Sequence, residues 1–278
     1  MIYDVRQTTS YAYASKVAYA HHVLRLTPID RMRQRVQAAA LNIVPNPVAR
    51  REGRDFFGNR LTWIELAEPH DRMVIRVAAR IAVEAPEAPP PDATPAWEAV
   101  RDEVFASTDI GASAPAHFLF ASRQVTLDPE IRDYARESFP PGRPILAGAL
   151  ELMNRIKADF IYEIGATTVT TLPPMAFALR RGVCQDFAHV MISGLRGLGL
   201  PAAYVSGYLR TAPISGAQSN GPAAPSLQGA DAMHAWVGVW CGAQAGWLGL
   251  DPTNALVAGE DHVIVAIGRD YADVAPIS

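Results

Sequence analysis

The chain has 278 residues, 49% of them hydrophobic and 19% charged, a balance that buries a core, excludes a disordered chain and suits two domains. Twenty-five Lys and Arg against 28 Asp and Glu give a net charge of −3, which leaves no basic footprint for nucleic acid. The two cysteines, Cys184 and Cys241, exclude a disulfide scaffold and any zinc site built from several thiolates.

The first residues, MIYDVRQTTSYAY, lack the basic patch and apolar run of a signal peptide. No apolar stretch reaches the length of a membrane-spanning helix. A cytoplasmic location without a membrane partner is therefore expected. Residues 1–85 read as a β-rich domain. Tyr3, Val5, Tyr11 and Tyr13 alternate, a Gly58-Asn59 turn separates two strand-like runs, and 72–85 alternates again through Val74, Val77 and Ile81. Short strands separated by turns predict a small antiparallel sandwich or barrel.

The stretch APEAPPPDATPAW (85–97) holds five prolines, which block helix and sheet hydrogen bonding. Residues 86–96 are read as an extended linker and 97–278 as the second domain. That domain opens with helical spacing. A first helix is predicted over 97–105. A second follows an Asp128 cap with Pro129 at its first position. In a third, Ile145, Ala149, Met153, Ile156 and Phe160 form one apolar face. From 202 onward the period returns to two, in AAYVSGYL (202–209), MHAWVGVW (233–240) and WLGL (247–250). Helices first and sheet afterwards make an α+β pattern. The long irregular stretch at 211–230 joins two of these strands and is expected to border a cleft.

Gly182 is read as the end of a short helical stretch, with Cys184 opening the next helix. Unpaired N–H groups and the positive end of a helix dipole favour an anion there, so a thiolate is a usable nucleophile and an oxyanion can be received. Such a nucleophile needs a base, and the base needs an orienting group. His234 and Asp251 follow in that order, on strand-like segments joined by the Gly-rich turn CGAQAG (241–246). A hairpin centred there sets Trp240 opposite Trp247 and brings Asp251 diagonal to His234.

Neighbouring residues receive more modest readings. Asp186, in the first turn, caps the helix and is a candidate for lining the cleft. Gln185 is a candidate donor to the oxyanion. Trp236 shares the His234 face and is expected to wall the cleft, while Trp240 and Trp247 form a cross-strand core pair. His189 reads as a packed, hydrogen-bonding histidine and Cys241 as non-catalytic. His21, His22 and His70 have no ligand spacing, so no metal is expected.

The segments RRGVCQDFAHVMISGLRGLGLPAAYVSGYL (180–209), DAMHAWVGVW (231–240) and GWLGLDPTN (246–254) resemble the three core motifs of the transglutaminase-like superfamily. They are most similar to its bacterial members of the cysteine-protease type. HHVLRLTP (21–28) and RDFFGNRLTWIELAEPH (54–70) resemble the β-rich N-terminal domain of those proteins. The resemblance implies a papain-like core of helices on an antiparallel sheet, with Cys184 as nucleophile, His234 as general base and acid, and Asp251 as its orienter. It also implies an oxyanion-assisting side chain upstream of the nucleophile, for which Tyr162 is the candidate. Met233 departs from the pattern, since such proteins often carry a small polar residue before the histidine. The expected chemistry is acyl transfer from a peptide or protein amide, without a cofactor. Peptidase or amidase hydrolysis is the first reading, transglutaminase the alternative, and a non-catalytic binding module the third. The sequence carries no sign of an oligomeric state.

Overall fold

Alternation of apolar and polar residues sets the first third of the chain. The computed structural model describes residues 1–85, 87–210, 227–229 and 233–278. It begins with β1 (Ile2–Val17), β2 (Ala20–Leu24), β3 (Gln34–Val44), β4 (Ala49–Arg54), β5 (Arg60–Leu66) and β6 (His70–Val83). These form two antiparallel three-stranded sheets, ordered β1-β6-β3 and β2-β5-β4. In β6, Met73, Ile75, Val77, Ala79, Ile81 and Val83 are buried, while Arg76 and Arg80 face water. The expectation of short strands holds for β2, β4 and β5, at 5, 6 and 7 residues, but β1 runs for 16 residues and β6 for 14. Gln7-Thr8-Thr9-Ser10, in the middle of β1, has no apolar member, so the pattern breaks where the strand continues.

Residues 87–93 of the Pro-rich stretch are mostly exposed, with one 3-10 turn at Pro91–Ala93, and Thr94 just after them is buried. Beyond it come α1 (Trp97–Ala106), α2 (Pro129–Arg136) and α3 (Ile145–Asp159). Asp128 Oδ1 accepts from the N–H groups of Glu130 and Ile131 at 2.9 and 3.1 Å, a cap worth about 1 kcal/mol. Ile145, Ala149, Met153 and Ile156 are buried as the spacing requires. Next are β7 (Ile161–Tyr162), α4 (Pro173–Leu179), β8 (Arg181–Gly182) and α5 (Cys184–Gly197). The glycine stop proposed at 182 is corrected: Arg180 takes the left-handed position that ends α4, at φ 52°. Its guanidinium stacks 3.8 Å over Phe177 and 4.9 Å over Phe160, which compensates for a backbone conformation that side chains disfavour.

A five-stranded antiparallel sheet closes the chain. It comprises β9 (Ala202–Leu209), β10 (His234–Trp240), β11 (Trp247–Asp251), β12 (Leu256–Val257) and β13 (His262–Gly268), in the order β12-β11-β10-β9-β13. The short α6 (Tyr271–Val274) follows. Helix α5 is buried from Cys184 to Arg196 and packs on α2, β9 and β10. Gly194 lets α2 approach, since a Cβ there would stand 2.8 Å from that of Ala135. The fold is α+β, with the helices packed on an antiparallel sheet.

Two neutral side chains from the first third grip the far edge of this sheet. Gln34 bonds both the N–H and the C=O of Ile264, and Asn59 both those of Ile267, at 2.7–2.8 Å. They satisfy the strand edge of β13 as a neighbouring strand would. The last residues cross back to β2, where Val23 and Ser278 exchange backbone hydrogen bonds.

Candidate active site

The start of α5 is built by its own first turn. Asp186 Oδ2 accepts from the Val183 N–H at 2.8 Å and from Thr167 Oγ1 at 2.6 Å. Burial raises the Asp186 carboxyl, with those two bonds acting against it. The residue is 2% exposed, so it caps the helix and does not line an open cleft. Gly182 serves this cap, because a Cβ there would collide with the Asp186 carboxylate. Cys184 follows at the first helical position, 8% exposed. Gln185 is turned away, its Nε2 donating to the Val169 carbonyl at 3.0 Å. That amide braces the 165–172 loop rather than presenting a donor beside the thiol. Tyr162 arrives through the parallel pairing of β7 with β8, opposite Gly182, and is half-buried.

The β10–β11 hairpin has the register expected from its turn, Trp240 opposite Trp247 and Val237 opposite Leu250. His234 Nε2 lies 2.9 Å from Asp251 Oδ2. An ionised carboxylate only accepts, so Nε2 carries the proton and Nδ1 is left toward Cys184. Burial alone pushes the His234 imidazole down, but the bond to Asp251 and then Cys184 outweigh it and raise it to about 10. Burial alone would raise Asp251. The bonds from His234 and His262 hold it well below the usual carboxylate range instead.

His262 has no counterpart in the sequence reading. Its Nε2 lies 3.2 Å from the same Asp251 oxygen. His234 pairs with Gly207 and His262 with Leu209, two residues apart on β9, so both histidines project from one face. Local spacing contains no trace of this, since β13 reaches β9 only after the chain has crossed the sheet. Trp236 needs correction too. It is 1% exposed and fills the sheet between the two histidines, 6.2 Å from the His234 ring and 5.1 Å from that of His262. Gly207 makes the room, since a Cβ there would lie 2.6 Å from the indole. Trp240 and Trp247 do pair, with centroids 5.5 Å apart, but are half-buried rather than core.

His189 is 1% exposed in the middle of α5 and accepts from the Tyr271 N–H at 3.2 Å. Cys241 is buried in the core, and burial pushes its thiol up to about 12. Of the 211–230 stretch, 211–226 and 230 lie outside the described residues. Gly229, at φ 84°, sits over His234: a Cβ there would stand 2.6 Å from Nδ1 and 3.6 Å from the Tyr162 hydroxyl. Among the described residues His234, Asp251 and His262 place their donor atoms within 4.8 Å of one another, as a metal would require. Both imidazoles instead direct a proton at one shared oxygen.

Residues 3–82 match the model of the bacterial transglutaminase-like N-terminal region, and 132–252 that of the transglutaminase-like superfamily. An uncharacterized protein of Mycobacterium tuberculosis is 37% identical over 281 residues, spanning 99% of this chain and 86% of its own length. A protein-glutamine gamma-glutamyltransferase of Pseudomonas aeruginosa is 29% identical over 123 residues, 44% of this chain and 17% of its own. The fold is shared with a candidate cysteine protease from Cytophaga hutchinsonii, at a TM-score of 0.72 and 21% identity over all of this chain and 87% of that one. The chain belongs to the transglutaminase-like superfamily, with the bacterial transglutaminase-like N-terminal region ahead of the core that holds Cys184, His234 and Asp251.

Proposed function

We propose that the protein is a cysteine-dependent amide hydrolase acting on peptide or protein amides through Cys184, His234 and Asp251. One observation carries this reading: a buried His234 is held by Asp251 through Nε2, with Nδ1 left toward a cysteine that opens a helix. The Cys184 sulfur attacks the amide carbon while His234 is imidazolium. The oxyanion is received by the Cys184 backbone N–H, which has no partner within its helix, and by the Tyr162 phenol. His234 Nδ1 gives its proton to the leaving nitrogen, the C–N bond breaks, and a thioester remains. Water then attacks, returning a proton to Nδ1, and the acid leaves as the Cys184 thiolate is restored beside the imidazolium. Asp251 fixes the tautomer and stabilises the imidazolium throughout.

A second reading replaces that water by an amine, giving transfer rather than hydrolysis. The glutamyltransferase relative in Pseudomonas supports it over the shared core. Incubation with a glutamine-containing peptide and a fluorescent amine separates the two. Free acid without incorporated amine is expected, and incorporation in excess of hydrolysis would reverse the order. A thiol left unreactive by either substrate and indifferent to His234→Ala would leave only the binding-module reading. Cytoplasmic location suits a free nucleophilic thiol and is tested by fractionating the producing cell.

A further inference from the structure

The carboxylate of Asp251 collects more donors than a triad requires. Oδ1 accepts from the backbone N–H groups of Thr253 and Asn254 at 2.9 and 3.2 Å. Oδ2 accepts from His234 Nε2, from Asn254 Nδ2 at 2.8 Å and from His262 Nε2 at 3.2 Å. Thr253 and Asn254 belong to the turn that Asp251 itself begins, so they move with it. His262 does not: it comes from β13, at the opposite edge of the sheet.

Its ring is fixed on the other sides. His262 is 4% exposed and set edge-on to Trp236, at 72°. Its Nδ1 receives the Gly259 N–H at 3.4 Å, which puts the ring proton on Nε2 and makes that atom a donor to Asp251. An apolar side chain would pack against Trp236 without the cost of desolvating an imidazole. The donor is what the apolar residue lacks.

We infer that His262 is a positioning residue that holds the Asp251 carboxylate in the orientation His234 uses, by donating Nε2–H to Oδ2 from an independent strand. This rests on the Cys184–His234–Asp251 reading. Two consequences follow from removing the donor. The carboxylate gains freedom to rotate, so fewer molecules hold His234 correctly. Electron density also returns to Oδ2, which then holds the imidazolium proton more tightly. The titratable groups around His234 are Cys184 from α5, Asp251 from β11 and, behind the carboxylate, His262 from β13. Tyr162 of β7 lies near its Nδ1 side, and Tyr204 of β9 and Asp186 of α5 lie around Cys184.

The test is alkylation of Cys184 in the full chain from pH 5 to pH 11, with iodoacetate and with neutral iodoacetamide. Iodoacetate is favoured while the imidazolium beside the sulfur attracts its carboxylate, so the ratio of the two rates falls as His234 loses its proton. In His262→Phe the neutral-pH rate should drop about 10-fold and the fall in the ratio should move to higher pH. His262→Gln, which restores an N–H donor, should recover part of both. A role in packing alone would leave the pH of the fall unchanged, and a folded His262→Phe with the wild-type profile overturns the inference. Nitrogen-15 imidazole spectra of the unaltered protein give a check that needs no variant. A protonated Nε2 on His262 that responds to Asp251→Asn is expected, and a proton on Nδ1 instead overturns the inference. A wild-type profile without any imidazolium effect, unchanged in His234→Ala, defeats the triad reading itself, which is a different result.

Discussion

The two parts of the chain bury polar groups for different ends. In residues 1–85 the deeply buried ones are mainly neutral: Thr27, Gln34, Asn59 and Thr62, with His70 beside them. Gln34 and Asn59 use both ends of their amides on the backbone of β13. In the core the buried polar groups include Asp186, His189, Arg196, His234, Asp251, His262 and Asp270. Those side chains are ionisable, and a buried charge is costly unless a partner answers it. The contrast separates a clamp from a site. A neutral amide matched to a strand edge adds stability and leaves no chemistry over. An imidazole held between a carboxylate and a thiol is stabilised in the protonated form that the proposed acyl transfer would use.

The largest expected effects lie in the site. Cys184→Ala and His234→Ala should each lower amide turnover by on the order of 10^6-fold. Cys184→Ala should leave the thermal unfolding temperature little changed, while His234→Ala should also lower it, because the buried Asp251 carboxylate loses its leading partner. Retention of more than a tenth of the activity in either would remove the proposed roles. Asp251→Asn comes next, with a loss on the order of 10^4-fold. Its sign in pH is fixed by the partner lost. Asp251 is the leading group that raises His234 to about 10, so the alkaline fall in the iodoacetate ratio should move to lower pH. An unmoved or rising limb would show that something other than Asp251 holds the imidazolium.

How far these groups could be read beforehand depends on the distance over which they are assembled. Cys184 and Asp186 are set by one helix start, and the cap is written in consecutive residues. His234 and Asp251 are joined by one hairpin whose glycine turn fixes the register, so their meeting follows from period-two alternation. His262 meets them only through strand order, because β9 lies between β10 and β13. Trp236 looked like a cleft wall since alternation gives a face but not its depth. Its burial is decided by Gly207, on another strand. Gln34 and Asn59 were invisible for the same reason: their partners lie more than 200 residues away.

His189 extends the contrast from activity to stability. It is buried and neutral in α5, and burial lowers it to about 4 from its ordinary 6.5. The folded pKa lies below the unfolded one, so the unfolded chain takes the proton first as pH falls. The contribution is complete above about pH 6.5 and is lost toward pH 4, amounting to about 3 kcal/mol at full extent. Urea unfolding at pH 7 and at pH 4.5 should show the loss, and His189→Gln should reduce it. An equal acid loss in the variant would assign the effect to other groups.

The clamp should give the smallest effect and the sharpest separation. Asn59→Ala strips the Ile267 N–H and C=O of their partner and leaves Arg31 without its 2.9 Å bond. Buried groups left in this way cost about 1–3 kcal/mol, read as a lower urea midpoint with an unchanged slope. Asn59 holds the Ile267 end of β13, five residues from His262, so the alkylation profile of Cys184 should stay as in the wild type. Gln34→Ala frees Ile264, two residues from His262. It should cost similar stability and also shift that profile slightly, in the direction of His262→Phe. A profile that moves as far for Asn59→Ala as for Gln34→Ala would mean that the N-terminal sheets tune the site as a whole. A shift confined to Gln34→Ala would trace the coupling along β13 to the histidine at its end.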